Sequence, residues 1–114
     1  MSTGIMATLE AVTPVLKNLK AKLQQMYGAR LHEMIVYGSY ARGEAVPGSD
    51  VDVLLVLENV RDPLTEREQL SMLLWQLSLE QNLVFSVLPV DAESFQQRQS
   101  PLFLNIRREG VAIQ

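Results

Sequence analysis

Residues 35–57 read IVYGSYARGEAVPGSDVDVLLVL, and this stretch makes the strongest structural prediction in the 114-residue chain. Its apolar ends predict two strands, Leu31–Tyr37 and Val51–Leu57, joined by a turn at Gly38 and Ser39 and a polar loop. The second apolar run is almost continuous in valine and leucine, as expected of a strand covered on both faces. The stretch therefore predicts the centre of a sheet with a polar turn beside it.

Two acidic residues open the second predicted strand. Because side chains at i and i+2 of a strand point to one face, Asp50 and Asp52 should project together. Two crowded carboxylates are unfavourable unless a cation or a proton lies between them, and paired oxygen ligands are the usual Mg²⁺ site in phosphoryl transfer. Gly38 permits close backbone approach, and a Gly-Ser turn can direct N–H groups and a hydroxyl at phosphate. The pattern predicts a divalent-metal site beside an anion site.

This spacing resembles the nucleotidyltransferase superfamily that includes polymerase β, and within it the minimal nucleotidyltransferases of prokaryotes. The signature there is Gly-Ser, ten intervening residues, then Asp-x-Asp, and it is met here in full. The resemblance implies an α/β fold, a small mixed sheet flanked by helices, as a single domain over residues 1–114. It also implies ATP as substrate, Mg²⁺ as cofactor with two ions, Asp50 and Asp52 as catalytic residues and metal ligands, and a nucleotide-binding set of Gly38, Ser39, Arg42 and Ser49.

The resemblance departs from the family at one position. Active members generally carry a third acidic residue on a neighbouring strand, where it completes the metal site and commonly acts as the base. In the predicted strand Leu83–Val90 that place is taken by Ser86. Three interpretations follow: the cation alone lowers the pKa of the acceptor hydroxyl, Asp91 or a partner residue supplies the missing group, or the domain binds without reacting.

The family resemblance also implies a partner. Minimal nucleotidyltransferases of this type are commonly paired with HEPN-domain ribonuclease toxins. By resemblance, this chain is expected to be the antitoxin, transferring AMP from ATP to a hydroxyl of the toxin, with tyrosine as the expected acceptor, within a hetero-oligomer. The alternatives are a non-catalytic module that neutralises the toxin by binding alone, and a nucleotidyltransferase acting on a small molecule.

Composition excludes several other kinds of site. The chain is 47% hydrophobic and 20% charged, which is typical of one folded domain, and its formal net charge of −3 provides no basic footprint for long nucleic acid. It has no cysteine, which excludes disulfides and thiolate chemistry, and His32 is its only histidine. No apolar run approaches the roughly 20 residues of a membrane span, and no basic signal-peptide region opens the chain. We expect a cytoplasmic protein.

Helical periodicity predicts the surrounding elements. One helix is expected over Thr13–Tyr27, with Pro at its first position and a separate helical piece before it, from Ile5. A long helix is expected over Pro63–Gln81. Met72, Trp75 and Leu79 widen the apolar surface of the long helix, and we expect core packing to explain this, with a protein partner as the alternative. Pro89 is expected at an edge of the sheet, and shorter helices are predicted to begin at Ala92 and Pro101.

Overall fold

The computed structural model describes residues 7–114 and shows an α/β fold with helices on both faces of one mixed sheet. None of its helices combines the length and the apolar composition that crossing a membrane requires within the described residues. The elements, in chain order, are α1 Leu9–Tyr27, a 3₁₀ turn Gly28–Arg30, β1 Leu31–Tyr37, α2 Ser39–Arg42, β2 Val51–Leu57, α3 Pro63–Gln81, β3 Phe85–Asp91, α4 Ala92–Gln97, α5 Pro101–Glu109 and β4 Val111–Ala112.

The sheet places β2 between the two strands that build the site. The strand order is β3-β2-β1-β4, with β2 antiparallel to β1 and parallel to β3. In this register Tyr37 of β1 pairs with Asp52, and Ser86 of β3 pairs with Asp52 from the other side. Tyr37, which precedes the Gly38 turn, and Ser86 therefore lie on either side of Asp52 in the central strand.

Alternation along β2 fills two apolar layers. Val53 and Leu55 face α1 and α3, while Leu54 and Val56 face α4 and α5. Of the seven residues of β2, Asp52 is the one that is not fully buried. Burying each of these aliphatic side chains contributes about 1.5–3 kcal/mol, so the layers hold β2 rigidly and Asp52 with it.

The start of α1 differs from the prediction. The helix begins at Leu9, where the Thr8 hydroxyl accepts a hydrogen bond from the backbone N–H three residues on (3.1 Å). Pro14 lies inside the helix, so the predicted start at Thr13 was wrong. The cap at Thr8 precedes Pro14 by less than two turns. Because proline has no N–H, the helix lacks one main-chain hydrogen bond there, and this loss is tolerated near the start of the helix. The predicted piece from Ile5 begins outside the described residues.

The apolar surface of α3 is only partly used by the core. The helix has the predicted bounds, and Leu70 and Leu77 pack on the sheet with 1% exposure each. Met72, Trp75 and Leu79 are 73%, 65% and 66% exposed. Core packing was therefore the wrong interpretation of these three side chains, because within residues 7–114 α3 packs on the sheet through its other side and leaves this one exposed.

The third strand begins two residues later than predicted. Asn82 ends α3 in the left-handed region (φ 53°), and the chain needs Leu83 and Val84 to turn before β3 starts at Phe85. Pro89 lies inside β3, which is an edge strand, as the missing proline N–H requires.

Arg30 connects the end of α1 to the start of α3. Its Nε donates to the Glu58 carbonyl at 3.0 Å, and its Nη2 donates to Glu66 Oε2 at 2.7 Å. Glu66 is 7% exposed, so this ion pair compensates a buried carboxylate. Burial, with Glu66 nearby, raises the pKa of Tyr27 to about 12, so its phenol stays neutral across the physiological range.

Candidate active site

The tightest approach in the site is between Gly38 and Asp52. Gly38 follows the last residue of β1 and leads into α2 with φ 76° and ψ −151°, a conformation that side chains with a Cβ rarely adopt. A Cβ placed on Gly38 would overlap Asp52 Oδ2 and lie 3.2 Å from Asp52 Cγ. The absence of a side chain therefore lets the turn backbone lie directly against the carboxylate. The predicted phosphate turn and one predicted metal ligand are brought together.

The two aspartates lie close enough to affect each other. Asp52 is partly buried, whereas Asp50 is exposed just before β2 begins. Burial raises the pKa of Asp52, the Asp50 charge raises it further, and Arg42 partly offsets both. A carboxylate held in such a setting gains stability from a bound cation, so this oxygen donor set fits a divalent metal.

A third carboxylate does not join this pair. Ser86 occupies the neighbouring position on β3, in register with Asp52, and is exposed between the buried residues Phe85 and Val87. In residues 7–114 no three histidine, aspartate or glutamate side chains are grouped closely enough to hold a metal. The serine identified in the sequence thus stands beside Asp52, where a further ligand would be expected.

Asp91 cannot supply the missing group. It pairs with Leu57 at the far end of β2, five residues along β3 from Ser86, which is about 16 Å of strand. Its carboxylate accepts hydrogen bonds from the N–H of Val60 (2.9 Å) and of Ser94 (3.3 Å). These hydrogen bonds lower the pKa of Asp91, and the bond from Val60 has the largest effect. Asp91 caps α4, and the interpretation that gave it a place in the site is wrong.

Arg42 lies on the β1 side of the site and is held by two carboxylates. Its Nε donates to Glu44 Oε1 at 2.9 Å, and its Nη1 lies 3.6 Å from Glu109 Oε2. It is close enough to Asp52 to lower that residue's pKa. These two contacts use Nε and Nη1, so the Nη2 donors remain for the predicted phosphate contact by Arg42.

Tyr37 and Glu109 belong to this side of the site, and sequence analysis did not single them out. Both line a cavity of about 230 Å³ together with Gly38 and Arg42. Burial raises the pKa of Tyr37, and the Asp52 charge adds to this effect. The antiparallel pairing of the two predicted strands was a signal that could have placed Tyr37 opposite the aspartates, whereas nothing in the sequence marks Glu109.

The two predicted serines have different surroundings. Ser39 is the first residue of α2, directly after Gly38, and its carbonyl accepts a hydrogen bond from the Glu44 N–H at 2.9 Å. The Ser49 hydroxyl accepts from the Val46 N–H at 3.0 Å and so closes the loop that precedes Asp50. Ser49 also lines a cavity of about 600 Å³ on the α1 side. Ser39 therefore lies in the predicted phosphate turn, whereas the hydroxyl of Ser49 is hydrogen-bonded within the loop before Asp50.

A second cleft opens on the β3 side. It has a volume of about 350 Å³ and runs between α3 and β3. Arg67, Ser71 and Leu74 line it from α3, at the i, i+4, i+7 spacing of one helix face, and Asp50 and Ser86 line it from the sheet. Sequence analysis missed Arg67, because a single exposed arginine in a helix carries no local signal.

Curated proteins match part of this chain in sequence. The protein adenylyltransferase MntA of Thermococcus cleftensis is 44% identical over 55 residues, which is 48% of this chain and 54% of that protein. The chain thus matches about half the length of this curated relative.

Two solved structures share the fold. A toxin–antitoxin crystal structure with AMP-PNP superposes with a TM-score of 0.61 at 17% identity, covering 86% of this chain and 72% of the other. A complex of tri-AMPylated Shewanella oneidensis HEPN toxin with MNT antitoxin superposes with a TM-score of 0.56 at 15% identity, covering 90% and 71%. At these identities the likeness establishes the fold alone.

The family model for the nucleotidyltransferase domain matches residues 16–101. This range contains the Gly38 turn, both aspartates and Ser86. The match extends over well more than half of the chain, and the chain belongs to the nucleotidyltransferase domain family.

Proposed function

We propose that this chain is an antitoxin-type protein adenylyltransferase. It transfers AMP from ATP to a hydroxyl, with tyrosine the expected acceptor, on a HEPN ribonuclease toxin and thereby neutralises that toxin. The observation that carries the proposal is the direct approach of Gly38 to Asp52, which supports a site where a turn that we propose to bind phosphate lies against a carboxylate that we propose to bind metal. The name of the Thermococcus relative and the toxin–antitoxin complexes that share the fold support the same function.

Each side chain of the site has a role in this proposal. The turn at Gly38 and Ser39 holds the β- and γ-phosphates of ATP. Asp50 and Asp52 hold Mg²⁺, with two ions in the complete site. Mg²⁺ held by these two carboxylates would supply positive charge beside the triphosphate and would so favour the departure of pyrophosphate. Arg42 borders the nucleotide from the β1 side.

The loop before β2 positions the first aspartate. The hydrogen bond from the Val46 N–H to the Ser49 hydroxyl fixes the backbone one residue ahead of Asp50. Ser49 therefore acts on the nucleotide through the position of Asp50 and through the cavity that it lines. This support matters because Asp50 is exposed and lies outside the rigid ladder of β2.

The proposal covers residues 1–114 as one domain that works in a hetero-oligomer with the toxin. A single sheet with one apolar layer on each face supports one folding unit. ATP as the donor and a sequence without cysteine fit a cytoplasmic location. The net charge of −3 argues against direct binding of long nucleic acid.

The decisive experiment is the intact mass of the toxin partner after incubation with this protein, ATP and Mg²⁺. The variant to compare carries Asp50→Asn and Asp52→Asn, which keep the side-chain shape and remove both charges. Glu80→Gln, an exposed substitution near the end of α3, is the matched control. We expect one or more AMP units on the toxin with the wild-type protein and with the control, and none with the double variant.

A second function is favoured by two observations. Ser86 lies in register with Asp52, where the family resemblance leads us to expect a third carboxylate, and Met72, Trp75 and Leu79 form an exposed apolar stripe on α3 that suits a protein partner. In this alternative the domain neutralises the toxin by contact alone. Its signature is a stable complex and full inhibition of the toxin by wild-type and double-variant proteins alike, with no change in the toxin's mass.

A further inference from the structure

The phosphate turn and Ser86 lie on opposite sides of the strand that carries Asp52. Across the sheet, β1 delivers Tyr37 and the Gly38 turn to one side of Asp52, and β3 delivers Ser86 to the other. In-line phosphoryl transfer needs the attacking and the leaving oxygens on opposite sides of phosphorus. With the β- and γ-phosphates held at the Gly38 turn, the attacking hydroxyl approaches from the β3 side.

On that side lies the cleft of about 350 Å³ between α3 and β3. Asp50 and Ser86 stand at its sheet side, and Val84, which is 57% exposed, lines it further out. Within residues 7–114, β3 pairs with β2 alone, so its outer edge retains backbone groups that no other strand uses. An open cleft beside a free strand edge has the shape and the hydrogen-bonding groups to take an extended peptide.

The positive charge of the cleft comes from Arg67. Its side chain makes no hydrogen bond or ion pair with any residue in the described range, and no acidic residue occurs before residue 7. Four arginines, Arg30, Arg42, Arg107 and Arg108, are held by protein oxygens. Arg61 and Arg98 share with Arg67 the lack of such a contact in the described range, but they do not line this cleft. Arg67 is thus a guanidinium that lines a cleft and has its donors available to a ligand.

We propose that this cleft is the acceptor site and that Arg67 selects acceptor segments carrying a carboxylate beside the reacting hydroxyl. The inference rests on the adenylyltransferase function proposed above and specifies its substrate as an extended acidic peptide segment of the partner. The Arg67 guanidinium pairs with the acidic side chain and so orients the neighbouring hydroxyl toward Asp50 and Asp52. Arg67 is a specificity-determining residue and takes no part in the bond-forming step.

The test measures peptide binding directly. Three tyrosine peptides, flanked by glutamate, by glutamine or by lysine, are titrated into the isotope-labelled protein in the presence of Mg²⁺ and a non-hydrolysable ATP analogue. Arg67→Ala and Arg67→Glu are compared with Arg61→Glu, which makes the same charge change at an exposed position outside the cleft. NMR chemical shifts of the Ser71, Val84 and Ser86 amides report whether binding occurs in the cleft.

We expect the glutamate peptide to bind wild-type protein about fivefold more tightly than the glutamine peptide, as one charge-assisted contact at a partly open site allows. Arg67→Ala should abolish this preference, Arg67→Glu should shift it to the lysine peptide, and Arg61→Glu should leave it unchanged. Equal binding of the three peptides, binding of none, shifts confined to another surface, or an unchanged preference in Arg67→Glu would each overturn the proposal.

Modification of the toxin separates this inference from the function on which it rests. Arg67→Glu should raise the KM for the toxin about fivefold and leave kcat nearly unchanged, because Arg67 acts in binding. An unchanged KM, with AMP still added, refutes the role of Arg67 and leaves the adenylyltransferase function intact. Failure of the wild-type protein to add AMP refutes the function itself, whatever the peptides do.

Discussion

Replacing Gly38 by alanine tests whether the site depends on the close approach of its turn to Asp52. The backbone at φ 76° and ψ −151° is a conformation that costs a residue with a Cβ about 1–3 kcal/mol. The added Cβ also overlaps Asp52 Oδ2, and forcing that carboxylate away from its preferred rotamer costs about 0.5–1.5 kcal/mol more. Together these effects predict a loss of about 1.5–4.5 kcal/mol in the free energy of unfolding.

Gly43→Ala is the matched control. Gly43 also has positive φ (74°), but a Cβ there meets nothing within 4 Å. Its substitution should lower the free energy of unfolding by only about 1 kcal/mol. Strain in the left-handed backbone destabilises the folded protein, but alanine also lowers the conformational entropy of the unfolded chain, and this partly offsets the strain. The excess loss in Gly38→Ala combines the overlap with Asp52 and the more restricted backbone region of Gly38, whose ψ is −151° where that of Gly43 is 23°. Adding Asp52→Ala to Gly38→Ala should recover about 1 kcal/mol of that excess, since the overlapping oxygen is gone.

The assay is urea and thermal unfolding followed by circular dichroism, without metal or nucleotide, together with calorimetric titration of ATP and Mg²⁺. Gly38→Ala should lower the midpoint of thermal unfolding by about 10–20 °C and abolish nucleotide binding in the folded protein at low temperature. Equal destabilisation by the two alanine substitutions, or retention of nucleotide binding by Gly38→Ala, would refute the reasoning.

Three further changes probe the same fold. Ser86→Asp places a third carboxylate in register with Asp52 and should tighten Mn²⁺ binding about tenfold in calorimetry, with Ser86→Asn giving no gain. Burial and Asp50 raise the pKa of Asp52, so the metal-free protein loses stability as pH rises through that pKa. Asp52→Asn should therefore melt a few degrees higher than wild type at pH 7 without metal, a difference that disappears near pH 3. Arg30→Ala leaves Glu66 buried without its cation and should cost about 2 kcal/mol in urea unfolding, whereas a loss below about 0.5 kcal/mol would show that the ion pair is dispensable.

The sequence predicted the sheet better than it predicted the helix surfaces. Leu31–Tyr37 and Val51–Leu57 have the predicted bounds, because apolar runs between polar turns depend on local patterning alone. The start of α1 was missed because Thr8 caps the helix ahead of Pro14, and proline was taken as the first helical residue. Local signals do not rank Thr8 and Thr13, two possible caps that lie five residues apart.

The residues of the site also differ in whether a local sequence signal could predict them. Asp50, Asp52 and the Gly38 turn carry a local motif, and the structure places the turn against Asp52. Arg67 reaches the site only through the packing of α3 beside β3, which depends on contacts far apart in sequence. Whether these residues bind nucleotide and acceptor stays a prediction for the experiments above.

The exposed position of Trp75 determines what optical spectroscopy can report. It is the chain's only tryptophan, and 65% of its surface is open to solvent in the folded protein. Its emission should therefore resemble that of the unfolded chain and change little on denaturation. A partner that covers this side of α3 would move the indole into an apolar setting and shift its emission to the blue, so this fluorophore serves as a sensor of assembly more than of folding.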